Sequence, residues 1–204
     1  MRLTSLAPAP EAGALVILAL VGMPGCGKST VGRHLARHLG LTLADSDHLI
    51  EQRIGMPIRN FFEQHGEAPF RDVEEAVIAE LCAGDERVIA TGGGAVLREA
   101  NRRALRQCAH VFYLRSAPED LYRRLRHDTH RPLLQVADPL RRLRELFRQR
   151  DPLYRQTAHY VIETGRPSVP SLVNMVLMQL EVAGLVDPAR VPSPVDARPL
   201  QAGG

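Results

Sequence analysis

The sequence predicts an α/β domain built around a mainly parallel, five-stranded sheet, and three observations carry that prediction. Short apolar runs alternate with amphipathic stretches, which is the pattern of repeated strand–helix units. The first apolar run opens directly into a glycine-rich loop. The chain has 204 residues, 45% of them hydrophobic and 24% charged. That length suits one domain of ordinary size, and the composition excludes a disordered or collagen-like chain.

Taken in order, residues 1–12 are rich in Ala and Pro and read as a disordered tail. The run from Ala12 to Val21 superficially resembles a signal-peptide core, but it is too short to span a bilayer and feeds a glycine loop. A buried strand over Leu15–Val21 is the better reading. Further strands are expected at Leu41–Ala44, Val88–Thr91, Val111–Leu114 and Tyr160–Ile162, each short, apolar and bounded by turn or polar residues. A helix is expected from Gly27 to Gly40, and residues 46–84, between the second and third strands, read as a helical insertion of the kind that carries specificity. Arg98–Gln107 reads as a helix. Ser116 followed by Glu119 has the spacing of a capping box, and Asp138-Pro139 is a cap-then-proline start leading into Leu140, Leu143 and Phe147. The last helix carries Val169, Leu172, Val173, Val176, Leu177 and Leu180 on one apolar face. The domain is thus expected over 13–183, and 184–204, with Pro188, Pro192, Pro194 and Pro199, reads as a second disordered tail.

There are 26 Lys plus Arg against 23 Asp plus Glu, a formal net charge of +3 that does not by itself argue for nucleic acid. Arg141, Arg142, Arg144, Arg148 and Arg150 form a basic stretch, but Glu145 and the intervening leucines, with no aromatic platform, make a solvated helix face. Neither nucleic acid nor a membrane is expected as a partner. The three cysteines, Cys26, Cys82 and Cys108, are odd in number and lack C-x-x-C spacing, so no disulfide framework or zinc site is expected and a cytoplasmic location fits best.

Gly22-Met23-Pro24-Gly25-Cys26-Gly27-Lys28-Ser29 matches G-x-x-x-x-G-K-S/T between an apolar strand and an amphipathic helix, which is where a phosphate cradle has to sit. Its glycines let consecutive N–H groups turn inward toward an anion, and the following helix adds the positive end of its dipole. Lys28 is the only lysine in the chain. A compact ammonium at this one position, in a chain that otherwise uses arginine, marks a site that a planar guanidinium does not fit. Ser29 is the natural hydroxyl ligand for magnesium.

Asp45 and Asp47 fall at the end of the second strand, at the sheet edge where ligands bind. Two carboxylates beside a polyphosphate repel it unless their tasks differ. Asp45 is expected to serve the metal through water, and Asp47 to accept a proton or hydrogen bond from an attacking hydroxyl. The alternative is that one of these aspartates, or Ser46 between them, simply caps the next helix. Gly92-Gly93-Gly94 costs more backbone entropy than a turn requires, and close approach of a ligand supplies a reason. Arg131 precedes Pro132 in a polar stretch between two helical patterns, as a charge-stabilising arginine on a mobile lid does.

Together these residues resemble shikimate kinase over nearly all of Leu15–Ala183. The matching pieces are Gly22 to Thr30, Asp45-Ser46-Asp47, Gly66-Glu67 with Phe70-Arg71 and Glu74, Gly92-Gly93-Gly94, Arg131-Pro132-Leu133-Leu134 and Arg150-Asp151-Pro152-Leu153-Tyr154. Two departures are visible: Ser46 replaces a commoner Thr, and Pro69 stands where a polar residue is usual. The resemblance implies a three-layer P-loop NTPase fold with a five-stranded parallel sheet, the substrate-binding insertion at 46–84 and a lid at 124–136. It implies transfer of phosphate from ATP to the 3-hydroxyl of shikimate, a step toward chorismate and the aromatic amino acids, with Mg2+ as cofactor. Gly25, Cys26, Gly27, Lys28, Ser29 and Thr30 would hold ATP, with Arg124 beside the adenine, Arg131 on the phosphates and Arg166 approaching from the loop after the last strand. Asp47, Arg71, Gly93 and Arg150 would hold shikimate, the two arginines clamping its carboxylate. Ser29 and Asp45 would serve the metal, and Lys28, Asp47 and Arg131 the chemistry, in a monomer.

Two other readings share the phosphate loop. One is a kinase of another small polyol acid such as gluconate, and the other a catalytically silent nucleotide-binding regulatory module. A GTPase-like switch lacks its guanine-reading Asn-Lys-x-Asp, since Lys28 is the only lysine.

Overall fold

A computed structural model of the chain describes residues 17–126, 136–165 and 167–186. Within them lie five strands: β1 (Ile17–Val21), β2 (Thr42–Asp45), β3 (Arg87–Ala90), β4 (His110–Arg115) and β5 (Tyr160–Glu163). All pair in parallel in the order β2-β3-β1-β4-β5, with Leu18 opposite Val88 on one side of β1 and His110 on the other. Each strand expected from the sequence is present, with every end that can be compared within one residue of its expected place; Leu15 and Val16 lie outside the described residues.

The helices are α1 (Lys28–Leu39), α2 (Ser46–Ile54), α3 (Ile58–His65), α4 (Glu67–Cys82), α5 (Glu99–Cys108), α6 (Pro118–Leu125), α7 (Pro139–Thr157) and α8 (Val169–Val182). All five residues of β1 are buried, as a strand covered on both faces requires. α1 and α8 pack together as one layer, and α5 packs with α4 and α7 as the other. Leu172, Val173, Val176, Leu177 and Leu180 bring the apolar face of α8 into the core, as its spacing predicts. Residues 46–84 fold as α2, α3 and α4.

Asp138 does cap α7, accepting from the Arg141 N–H at 2.9 Å. The capping box at Ser116 does not form: Ala117 is the residue before α6, and the buried Ser116 hydroxyl pairs instead with that of Thr164 after β5. A hydroxyl inside the sheet edge finds its partner on the neighbouring strand end, which local spacing cannot reveal. The cysteine reading is corrected as well. Cys82 and Cys108, 26 residues apart at the last turns of α4 and α5, form a disulfide with their Cα atoms 5.4 Å apart. Cys26 is free and buried. The side-by-side packing of α4 and α5 makes the pairing possible, and only the fold brings those two helix ends together. Among the described residues no helix is long and apolar enough to cross a membrane.

Candidate active site

In the order β2-β3-β1-β4-β5, the chain runs from β1 to β2 and β3 on one side and then crosses to β4 and β5 on the other, and ligands in such sheets bind at the carboxyl ends of the strands beside that switch point. The loop after β1 lies there. Gly25 and Gly27 adopt φ of 82° and 99°, a region that side chains disfavour, so the loop turns only because glycine stands at both positions. Gly27 then opens α1 without any side-chain cap, which leaves the first N–H groups of the helix for an anion. Lys28 is 8% exposed, and its Nζ donates to the carbonyls of Gly22 at 2.8 Å and Met23 at 3.0 Å. The ammonium is thereby stored across the mouth of the cradle.

Beside it is a cleft of about 710 Å³ whose walls include Pro24 to Val31, Asp45, Asp47, Gly93, Arg124 and Leu125, with Pro167, Ser168, Val169 and Leu172 closing the side formed by α8. Gly25, Cys26, Gly27, Lys28, Ser29 and Thr30 all line it, as does Arg124, whose guanidinium donates to the carbonyls of Gly25 and Thr164 at 3.4 and 3.2 Å. Arg131, Arg166 and all of the expected lid except its two ends lie outside the described residues. The wall contributed by α8 was not anticipated; its one sequence signal is the apolar face that begins at Val169 and Leu172.

Asp45 does two jobs. One carboxylate oxygen accepts from Ser29 Oγ at 2.6 Å, and the other accepts from the Asp47 N–H at 3.1 Å, capping α2. Of the candidate caps, Asp45 is therefore the one that serves. A hydroxyl and a carboxylate side by side are hard oxygen donors, the set that suits Mg2+ retaining most of its waters. Ser46 is fully buried and its Oγ accepts from the Gly92 N–H at 2.8 Å, which ties α2 to the glycine segment.

Asp47, freed from capping, projects into the cleft. Its surface is open to solvent, but the surrounding walls remove much of its hydration and the charge of Asp45 adds to that. Its pKa is accordingly pushed up from 3.8 to about 6, against the pull of Lys28.

The three glycines are explained by their neighbours. A side chain on Gly92 would strike the Asp47 carboxylate, one on Gly93 would meet Pro24 of the phosphate loop at 2.6 Å, and one on Gly94 would strike the Arg71 guanidinium. The close approach expected of a ligand is thus made first by the protein itself: the segment is a bare backbone wedge among three pieces of the site.

Arg71 and Arg150 stand behind that wedge and do not line the cleft itself. Arg71 donates to Glu74 at 2.6 Å and to Glu67 at 3.0 and 3.2 Å, with its guanidinium 5.1 Å from the Phe70 ring centre. Glu74 is 1% exposed, and burial outweighs the adjacent arginine charges, raising its pKa. Arg150 Nη1 donates to the Gly93 carbonyl at 3.0 Å, and its buried Nε has no partner among the described residues. A buried, unmatched guanidinium N–H is what an incoming anion would satisfy. On the opposite side of α7, Arg141 and Arg144 are 78% and 54% exposed and pair with Glu145 and Glu119, as a solvated face does.

The family model described as shikimate kinase matches residues 24–181. Over 178 residues the chain is 58% identical to a shikimate kinase of Paracidovorax citrulli, covering 86% of this chain and 95% of the relative. A shikimate kinase of Burkholderia pseudomallei is 55% identical over 182 residues, 89% of this chain and 94% of that one. Among solved structures, a shikimate kinase from Acinetobacter baumannii in complex with shikimate superposes with a TM-score of 0.79 at 44% identity, over 83% of this chain and 94% of the other.

Proposed function

The chain belongs to the shikimate kinase family, and from that premise we propose that it transfers the terminal phosphoryl group of ATP to the 3-hydroxyl of shikimate at the cleft between the phosphate loop and the glycine segment. The observation that carries this reading is the placement of the Asp47 carboxylate in the same cleft as Lys28, pressed against Gly92. A base-like carboxylate and a phosphate-binding ammonium then face one reacting pair.

ATP lies with its phosphates on the N–H groups of Gly25 to Thr30 and its base toward Arg124 and the α8 wall. On nucleotide entry the Lys28 ammonium exchanges the carbonyls of Gly22 and Met23 for phosphate oxygens. Ser29 and Asp45 hold Mg2+, which when bound neutralises phosphate charge. The acid's carboxylate takes Arg150 Nε and the Arg71 N–H groups that Glu67 and Glu74 leave unused, each guanidinium being already oriented by protein partners. Asp47 accepts the hydrogen bond of the attacking hydroxyl and then its proton. By the family resemblance, Arg131 of the expected lid at 124–136 is assigned to the phosphates and Arg166 to the nucleotide, both lying outside the described residues. Positioning and charge compensation, more than covalent chemistry, lower the barrier.

The proposed setting is a monomer in the cytoplasm, without nucleic acid or membrane as a partner; that location rests on the use of ATP and not on the cysteines, since Cys82 and Cys108 are paired. ADP release from the purified protein, with ATP alone, with shikimate and with gluconate, tests the reading. Shikimate-dependent release supports it. Preference for gluconate, or ATP binding without acceptor-dependent release, favours one of the other two readings.

A further inference from the structure

Tyr154 belongs to the stretch that supplies Arg150, yet no step above uses it. It is completely buried, with its ring stacked on Tyr113 at 4.9 Å between centroids. Its hydroxyl donates to the Gly93 carbonyl at 2.6 Å, and Arg150, one helical turn earlier on α7, donates to the same oxygen at 3.0 Å. Packing alone does not account for the hydroxyl. A phenylalanine fills the same space, and the Gly93 carbonyl keeps Arg150 as a donor, so stability has little need of a second one.

The consequence lies in the direction of the peptides. A carbonyl and the N–H that follows it lie in one plane and point in opposite directions. Drawing the Gly93 carbonyl onto α7 therefore turns the Gly94 N–H away from α7. On the other side, Ser46 Oγ already takes the Gly92 N–H. The Gly93 and Gly94 N–H groups have no acceptor among the described residues. The wedge is pinned at its start and along its α7 edge, with two donors left for a ligand.

We propose that Tyr154 is a positioning residue for the acceptor: its hydroxyl pins the Gly93 carbonyl to α7, so that the N–H groups of the glycine segment are presented to ring hydroxyls while Arg150 Nε stays available for the carboxylate. The inference rests on the assignment of the glycine segment to the acceptor site.

The test compares wild type, Tyr154→Phe and Tyr113→Phe in steady-state kinetics and thermal melts. The acceptors are shikimate and an analogue that keeps the carboxylate and 3-hydroxyl but lacks the other two ring hydroxyls. In Tyr154→Phe the KM for shikimate rises about tenfold, the size of one lost positioning hydrogen bond, with the KM for ATP within twofold of wild type. That penalty shrinks to less than threefold on the analogue, which has fewer oxygens for the glycine N–H groups to hold. Tyr113→Phe, whose hydroxyl bonds Asp151 instead, shows no such split between the two acceptors. An unchanged KM for shikimate overturns the proposal, as does an equal penalty on both acceptors. So does a Tyr154→Phe protein that fails to fold while Tyr113→Phe folds, because the hydroxyl is then a stability element. Wild-type protein that does not release ADP with shikimate instead defeats the underlying assignment of substrate.

Discussion

The Asp47 carboxylate occupies the space that a side chain on Gly92 would need. Because Gly92 has no positive φ, the demand for glycine here is steric and comes from the carboxylate. Gly92→Ala must displace Asp47, and displacement of a reacting group by about 1 Å costs roughly 10²-fold in rate. We expect kcat to fall by about that factor while the Kd for ATP, measured by calorimetry, stays within threefold of wild type.

Asp47→Asn removes the base and keeps the shape. We expect kcat to fall by about 10²- to 10⁴-fold, with little change in the KM for ATP. The wild-type rate should rise with pH through about 6, as the carboxyl whose pKa is pushed up to that value ionises, and Asp47→Asn should lack this limb. Stability follows the opposite sign. A carboxyl whose pKa rises on folding binds more protons in the native than in the unfolded state between about 4 and about 6, so unfolding free energy falls as pH rises across that window. Denaturation of the variant should show a smaller fall over the same range.

Arg150→Ala should raise the KM for shikimate by about 10- to 100-fold, the cost of one charge-assisted contact, with the KM for ATP unchanged. Arg71→Lys keeps a charge beside the buried Glu74 but loses the planar fork, and should give a smaller rise in the same constant. With an acceptor that lacks the carboxylate, both penalties should disappear in a kinetic comparison; equal penalties would remove the arginines from the clamp.

The Cys82–Cys108 disulfide closes a loop between sequence positions 26 residues apart, for which chain entropy alone gives stabilisation of roughly 3.5 kcal/mol. Oxidised protein should melt several degrees above reduced protein. The bond joins the last turns of α4 and α5, whereas Arg71 and Glu74 lie in the first half of α4, so turnover of the folded enzyme at 25 °C should be the same in both states.

The phosphate loop and all five strands could be read directly, because their signals are local: glycine spacing at Gly22 to Ser29, and short apolar runs between turns. Arg71, Arg150 and the glycine triplet came from the combination of motifs, since any single arginine among so many is uninformative. Partnerships across long separations left no trace in the sequence. Ser46 reaches Gly92, Tyr154 reaches Gly93 and Cys82 reaches Cys108 only once the strands are ordered β2-β3-β1-β4-β5. The same blindness misplaced the cap at Ser116. Asp45, Ser46 and Ser116 are all competent hydroxyl or carboxylate caps, and tertiary partners decided which one served.

The most direct measurement is the identity of the product. Phosphorus NMR of the reaction of purified protein with ATP and shikimate should show one new monoester resonance, coupled to the proton on the carbon that bore the 3-hydroxyl, growing in step with ADP. Phosphate on a different ring oxygen, or ADP accompanied only by inorganic phosphate, would contradict the placement of Asp47 opposite the phosphate loop as the acceptor's partner.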